Sequence, residues 1–194
     1  MNCSIVIRAY NEEKHIGRLL EGIKQQTLKD VEIILVDSGS TDATVPIAES
    51  FGARIVRIPS AEFTFGRSLN FGVRAATREF IVIASAHVYP VYPDWLETLL
   101  RPFQDDSVAL TYGKQRGYAG SKFSEHQIFH QWYPDLGKPG QQTAFCNNAN
   151  AAIRKSLWLK NQYDETLTGL EDLAWAKWAK EQGHAIAYVP EAEI

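Results

Sequence analysis

Val31-Glu-Ile-Ile-Leu-Val-Asp37-Ser-Gly-Ser-Thr-Asp42 decides how the rest of this chain reads. An unbroken apolar run delivers one carboxylate, Asp37, into a short polar loop, and that loop opens a helix. Runs of Val and Ile without polar alternation mark strands buried on both faces. In an open parallel sheet, ligands gather just beyond the carboxyl ends of such strands. Asp37 therefore has two readings: an acceptor for a base imide or a ribose hydroxyl, or a turn-forming Asp without a ligand. Asp42 reads as a first-turn helix acid. The stretch before it, Ser4-Ile-Val-Ile-Arg-Ala-Tyr10-Asn11-Glu12-Glu13, ends in the same manner. Tyr10 could stack on a base and Asn11 or Glu12 could hydrogen-bond to it, while Asn11 equally suits a helix cap. Two such tips side by side predict a nucleotide pocket.

Working outward, short apolar runs at Ser4–Arg8, Glu32–Val36, Arg54–Ile58 and Phe80–Ala84 alternate with helical patterns. Ile16, Leu19, Leu20 and Ile23 recur at i, i+3, i+4 and i+7 behind an Asn11 cap and two acids. Thr41–Phe51 is a weaker helix closed by Gly52, Arg67–Ala76 is a third, and Pro93 opens a fourth that buries Trp95, Leu96, Leu99, Leu100 and Phe103. The alternation predicts an α/β fold with right-handed crossovers and a mostly parallel sheet flanked by helices. The second half adds strands at Val108–Tyr112, Ala149–Arg154 and Ala185–Val189, and a helix at Leu170–Gln182 stopped by Gly183. Between Gly113 and Cys146 lies a long stretch rich in Gly and aromatic residues, with local helix expected at Phe123–Trp132. Its length suggests a functional segment. No repeat or linker divides the chain, so 1–194 reads as a single domain. It stops at Ile194, directly after the last strand, as either a C-terminally truncated chain or a naturally short one would.

The chain is long enough to bury a good core without staples. A net charge of −3 and the lack of any basic block give no footprint for nucleic acid. Two cysteines, Cys3 and Cys146, far apart in sequence, read as free thiols in a reducing cytoplasm. No signal peptide precedes the first strand, and no apolar run reaches the length of a membrane span. Peripheral membrane contact is compatible with this composition, and no oligomeric state follows from it.

Three further clusters could carry chemistry. In Phe65-Gly-Arg67-Ser-Leu-Asn70, a cation and an amide three residues apart share a helix face. Arg67 would suit a base carbonyl or a phosphate, or it is simply solvated. Phe80-Ile-Val-Ile-Ala-Ser85-Ala-His87 carries a histidine past a strand tip, where it could ligate a metal, donate to a pyrophosphate, or serve structure alone. Thr168-Gly-Leu-Glu171-Asp172 sets two adjacent carboxylates at a helix start, where the dipole stabilises their charge. Only one of them can face the core, so they form no symmetric dyad. One could act as a general base on an acceptor hydroxyl. The aromatics Tyr118, Phe123, Phe129, Trp132 and Tyr133 are candidates for an acceptor gate, or for core packing. His126 and His130 would share a helix face, but no carboxylate accompanies them.

Taken in order along nearly the whole chain, Ile5-Val-Ile-Arg-Ala-Tyr10-Asn11-Glu12, Val36-Asp37-Ser-Gly-Ser-Thr-Asp42, Leu69-Asn70-Phe-Gly72, Pro93-Asp94-Trp95-Leu96, Asn148-Ala-Asn-Ala-Ala-Ile-Arg154 and Glu171-Asp172 resemble the family-2 glycosyltransferases of GT-A fold. Within that family the chain looks most like bacterial enzymes of surface-polysaccharide synthesis, including rhamnosyltransferase-like members. The resemblance implies inverting transfer from a nucleotide-sugar donor to a hydroxyl on a glycan or lipid-linked acceptor, in the cytoplasm or at the inner face of the membrane. It implies that Tyr10, Glu12, Asp37, Arg67 and Asn70 hold the nucleotide and that Asn148 and Asn150 line the sugar or acceptor side. Asp172 would be the base, with Glu171 positioning beside it.

One departure stands out. The family carries an Asp-X-Asp pair that binds Mg²⁺ or Mn²⁺ with the diphosphate, and this chain reads Ser85-Ala86-His87 there. Either His87 retains a divalent cation with help from phosphate, or it replaces the ion as a donor, or catalysis is impaired. The last alternative would make the chain a nucleotide-sugar or glycan-binding module. The family's histidine just past the last strand would fall beyond Ile194. A nucleotidyltransferase would need a glycine-rich, basic loop after the first strand, where this chain has Ala9-Tyr-Asn-Glu-Glu.

Overall fold

The computed structural model describes residues 1–117, 121–137, 141 and 143–194. Among these, seven strands form one sheet: β1 (Cys3–Ala9), β2 (Val31–Asp37), β3 (Arg54–Arg57), β4 (Phe80–Ser85), β5 (Val108–Gly113), β6 (Asn150–Arg154) and β7 (Ala185–Val189). Their spatial order is β3-β2-β1-β4-β6-β5-β7. β1 runs parallel to β2 and β4, β2 to β3, and β5 to β7. Only β6 is reversed, against both β4 and β5. The mostly parallel α/β sheet expected from the alternation is thus present.

Side chains on successive residues of each strand point to opposite faces. Ile5 and Ile7 join Leu35, Val82 and Ala84 on one face, while Val6 joins Ile34, Val36, Ile81 and Ile83 on the other. The first face is covered by α1 (Ile16–Lys24), α2 (Thr44–Ser50) and α4 (Trp95–Leu100). The second is covered by α3 (Phe65–Ala75), α6 (Lys155–Trp158) and α7 (Glu171–Glu181). Burial from both sides is why these strands carry no polar alternation. Ile16, Leu19, Leu20 and Ile23 of α1 are all buried, as their spacing predicts. Each contributes about 1.5–3 kcal/mol by leaving water. α3 approaches the sheet so closely that a Cβ on Gly72 would collide with the side chains of Val6 and Val36. α5 (Phe123–Trp132) packs Phe129 against the second core and leaves Phe123 and Trp132 exposed.

Two helix starts differ from expectation. Asn11 does not cap α1. Its φ of 54° turns the chain left-handed, and its Oδ1 accepts from Thr41 N instead. The helix begins at Ile16, after His15. Asp42 stands ahead of α2 rather than in its first turn, and accepts from Thr44 N at 2.9 Å. Cys3 and Cys146 are free and buried. Among the described residues no helix is long and apolar enough to cross a membrane.

Candidate active site

β1 and β2 end in register, with Ala9 opposite Asp37. Their loops are then laced together. Asn11 N donates to Ser40 Oγ (2.9 Å), Thr41 N to Asn11 Oδ1 (2.9 Å), Glu12 N to Thr44 Oγ1 (2.7 Å) and Glu13 N to Asp42 Oδ2 (3.1 Å). Asp37 is turned inward, and its carboxylate accepts from Gly39 N (3.2 Å) and Ser40 N (3.1 Å). Gly39 has a φ of 97°, which permits this tight loop. Asp37 therefore shapes the loop that carries Ser38 into the cleft.

That cleft lies over the ends of β1 and β4. One lobe of about 340 Å³ is lined by residues that include Arg8, Tyr10, Glu12, Ser38, Phe65 and His87. A second, of about 240 Å³, includes Asn148, Glu171 and Asp172. Arg8, Phe65 and Ser85 line both, so the lobes are two parts of one hollow. Tyr10 is exposed, leaving a ring face free to stack. His87 Nδ1 lies 3.2 Å from Glu12 Oε1, as a donor to that carboxylate.

The paired acids at the start of α7 part company. Leu170, left-handed with φ 64°, turns the chain into the helix. Glu171 points inward, 3.6 Å from Arg8 Nη1, and accepts from Asn148 Nδ2 at 3.3 Å. Asp172 stays half-buried at the rim, accepting from Asn148 N (3.2 Å) and from Leu173 N (2.8 Å). The positive helix end supports both charges.

Three expected ligand residues face protein instead. Asn70 is buried. Its amide donates to Tyr163 O and Glu165 Oε1 (both 2.9 Å), and its oxygen accepts from Trp158 Nε1 and Tyr163 N (both 3.0 Å). Asn150 accepts from Trp95 Nε1 (2.9 Å) and donates to Ala192 O (2.8 Å) and Lys114 O (3.2 Å). Arg67 is absent from the lining of either lobe and stays partly exposed to solvent; its Nε donates to Glu165 Oε2 at 2.8 Å. The Asn70 amide, with Arg67 beside it, holds the Glu165 carboxyl below its ordinary range. Of the gate aromatics, Tyr133 is core, Phe129 is partly buried, Phe123 and Trp132 are exposed, and Tyr118 lies outside the described residues.

Arg8 is the residue the sequence reading passed over. Its position inside an apolar strand marked a strand rather than a site. The only available signal was a cation in a run of Val and Ile. Burial lowers its pKa, and nearby Glu171 partly offsets that, but an arginine stays charged.

A protein-held Mg²⁺ or Mn²⁺ would need several hard oxygen donors. Among the described residues no group of three His, Cys, Asp or Glu side chains could hold a metal ion. Beside the altered strand tip the cleft offers one carboxylate and one imidazole, Glu12 and His87, already bonded to each other, while Glu171 and Asp172 line the other lobe and accept from Asn148. This donor set does not fit a metal held by the protein.

A sequence model described as glycosyl transferase family 2 matches residues 4–165. The O-antigen chain rhamnosyltransferase RfbN of Salmonella typhimurium is 27% identical across all of this chain and 66% of its own length. Among solved structures, TarS of S. aureus in complex with UDP-GlcNAc superposes with a TM-score of 0.78 at 20% identity, over 98% of this chain and 56% of that one. The mannosyltransferase PcManGT of Pyrobaculum calidifontis, in complex with GDP-Man and Mn²⁺, gives 0.77 at 19%, over 98% and 55%. These superpositions show the fold. The chain spans just under two thirds of RfbN and little more than half of the two solved chains.

Proposed function

The chain belongs to glycosyl transferase family 2, and on that premise we propose that it moves a sugar, with inversion, from a nucleoside-diphosphate sugar to an acceptor hydroxyl in surface-polysaccharide synthesis. A deoxyhexose of the rhamnose type is the donor sugar we favour, from the likeness, across all of this chain, to an O-antigen rhamnosyltransferase. The observation that carries the reading is the single two-lobed cleft, with Tyr10 and Glu12 in one lobe and Asn148 and Asp172 in the other. Nucleotide and sugar fit side by side in such a hollow.

In this scheme Tyr10 stacks on the base, Glu12 accepts from the nucleoside, and Asp37 acts through the loop it braces. Arg67 and Asn70 support the nucleotide side from behind by tying α3 to the 158–165 segment, and Asn150 braces the tip of β6. Asn148 Oδ1 is buried with no partner among the described residues, which suits it to a sugar hydroxyl. Asp172 takes the acceptor proton. The acceptor oxygen bonds to the anomeric carbon as the bond to the diphosphate oxygen breaks, and that oxygen leaves with the electron pair. Glu171 orients Asn148 and Arg8. The acceptor is a glycan or a lipid-linked glycan, met at the cytoplasmic face of the membrane. Trp132 packs on Phe145, two residues before Asn147 in the acceptor lobe, so α5 borders that side.

A thermal-shift panel of UDP-, GDP- and dTDP-sugars, each with Mn²⁺ or chelator, tests this. One nucleotide class should raise the melting temperature, with about 2.7 kcal/mol of added stability at a hundredfold excess over Kd. No shift with any of them at millimolar concentration would remove the proposal. Binding without transfer to any acceptor would favour a module that only binds.

A further inference from the structure

Resting on that reading, we propose that Arg8 receives the donor's diphosphate as a fixed cation, where a divalent ion would otherwise stand. Arg8 is paired in the sheet with Ser85, the first residue of the altered Ser85-Ala86-His87 tip. It lines both lobes of the cleft, at the junction a diphosphate must cross to link nucleoside and sugar.

Its guanidinium is held but not spent. The group lies over the Phe65 ring at 4.8 Å, a cation–π contact. Nη1 is buried and has no hydrogen-bond partner among the described residues. Glu171 Oε1, at 3.6 Å, forms an ion pair with it but no hydrogen bond, and already accepts from Asn148. Arg154, which serves the interior, instead donates to the carbonyls of Val108, Phe103 and Asp105. An idle buried N–H is costly, and an anion seated beside Arg8 in the cleft would relieve that cost. The planar fork of a guanidinium matches phosphate oxygens two at a time and keeps its charge at any working pH.

The two unusual features explain each other. An Asp at position 85 would sit beside Arg8 and consume its N–H groups. Ser85 leaves them available. As the anomeric C–O bond breaks, the electron pair settles on the diphosphate oxygen. Arg8 donates hydrogen bonds to that diphosphate and gives up no proton, and the acceptor's proton goes to Asp172.

Calorimetric titration of the wild-type protein with the nucleoside diphosphate that the panel selects, and with its parent nucleoside, tests this. With chelator present, the diphosphate should still bind, and adding Mn²⁺ should change Kd little. Arg8→Gln should weaken the diphosphate about 10- to 100-fold and leave the nucleoside unaffected. A merely structural Arg8 would weaken both alike. Diphosphate binding that requires Mn²⁺, or an R8Q variant with unchanged diphosphate affinity, overturns the inference while leaving the transferase reading intact. Failure of any nucleotide to bind would instead remove the reading beneath it. Should R8Q fail to fold, the chelator comparison on the wild type decides, and Arg8→Lys should show a loss confined to the diphosphate.

Discussion

The region behind α3 and the cleft above the strand tips treat buried polar atoms in opposite ways. Around Asn70 the side-chain amide is fully used: it serves Trp158, Tyr163 and Glu165, and Glu165 in turn takes Arg67. The Asn148 amide, buried to a similar depth, is not: its Oδ1 has no partner among the described residues, and neither has Arg8 Nη1 nearby. A satisfied network holds the fold together. Idle groups lower stability until a ligand meets them. The contrast separates residues that build the site from residues that meet what binds there.

The largest effect belongs to the cleft. Asp172→Asn should cut sugar transfer about 10²–10⁴-fold while nucleotide affinity and melting temperature stay as they are. Transfer at the wild-type rate would take the base away from Asp172. On the structural side, Asn70→Ala strands the Trp158 indole and the Tyr163 amide without acceptors. It should cost about 3 kcal/mol in urea unfolding. Asn148→Ala should change stability by less than about 1 kcal/mol, yet weaken a sugar nucleotide more than the free nucleotide. Equal destabilisation by the two alanine variants would break the comparison.

The smallest effect is a pH dependence. The Glu165 carboxyl is held below its ordinary 4.5 by Asn70 first and Arg67 second. The stability it contributes is complete above that ordinary value and is lost as the pH falls through the lowered folded value. Glu165→Gln should therefore melt lower than wild type at neutral pH, and the gap should narrow in acid. A gap that is constant across the acid range would mean that the charge of Glu165 contributes nothing.

Much of the fold was legible because burial on both faces demands continuous Val and Ile runs, as in Ile5 to Ile7 and Ile33 to Val36. The strand tips followed from the order of those runs, and with them Tyr10, Glu12, His87 and Asp172 as cleft residues. Orientation was not legible. Asn148 and Asn150, two apart, would share a face in a strand. Only Asn150 lies in β6, and a turn in which Asn147 O accepts from Asn150 N rotates Asn148 into the cleft. The reversed direction of β6 left no mark on its five residues either.

By itself, then, the sequence determined the periodicities, the alternating layers and which loops reach the carboxyl edge of the sheet. These depend on local pattern and on the need to hide apolar surface. Tertiary structure alone decided that Asn70 and Asn150 serve the interior while Arg8 and Asn148 face the cleft. That choice is made by partners up to 93 residues away in the chain, such as Tyr163 against Asn70, and a hydrogen bond across that separation has no signature in either local stretch.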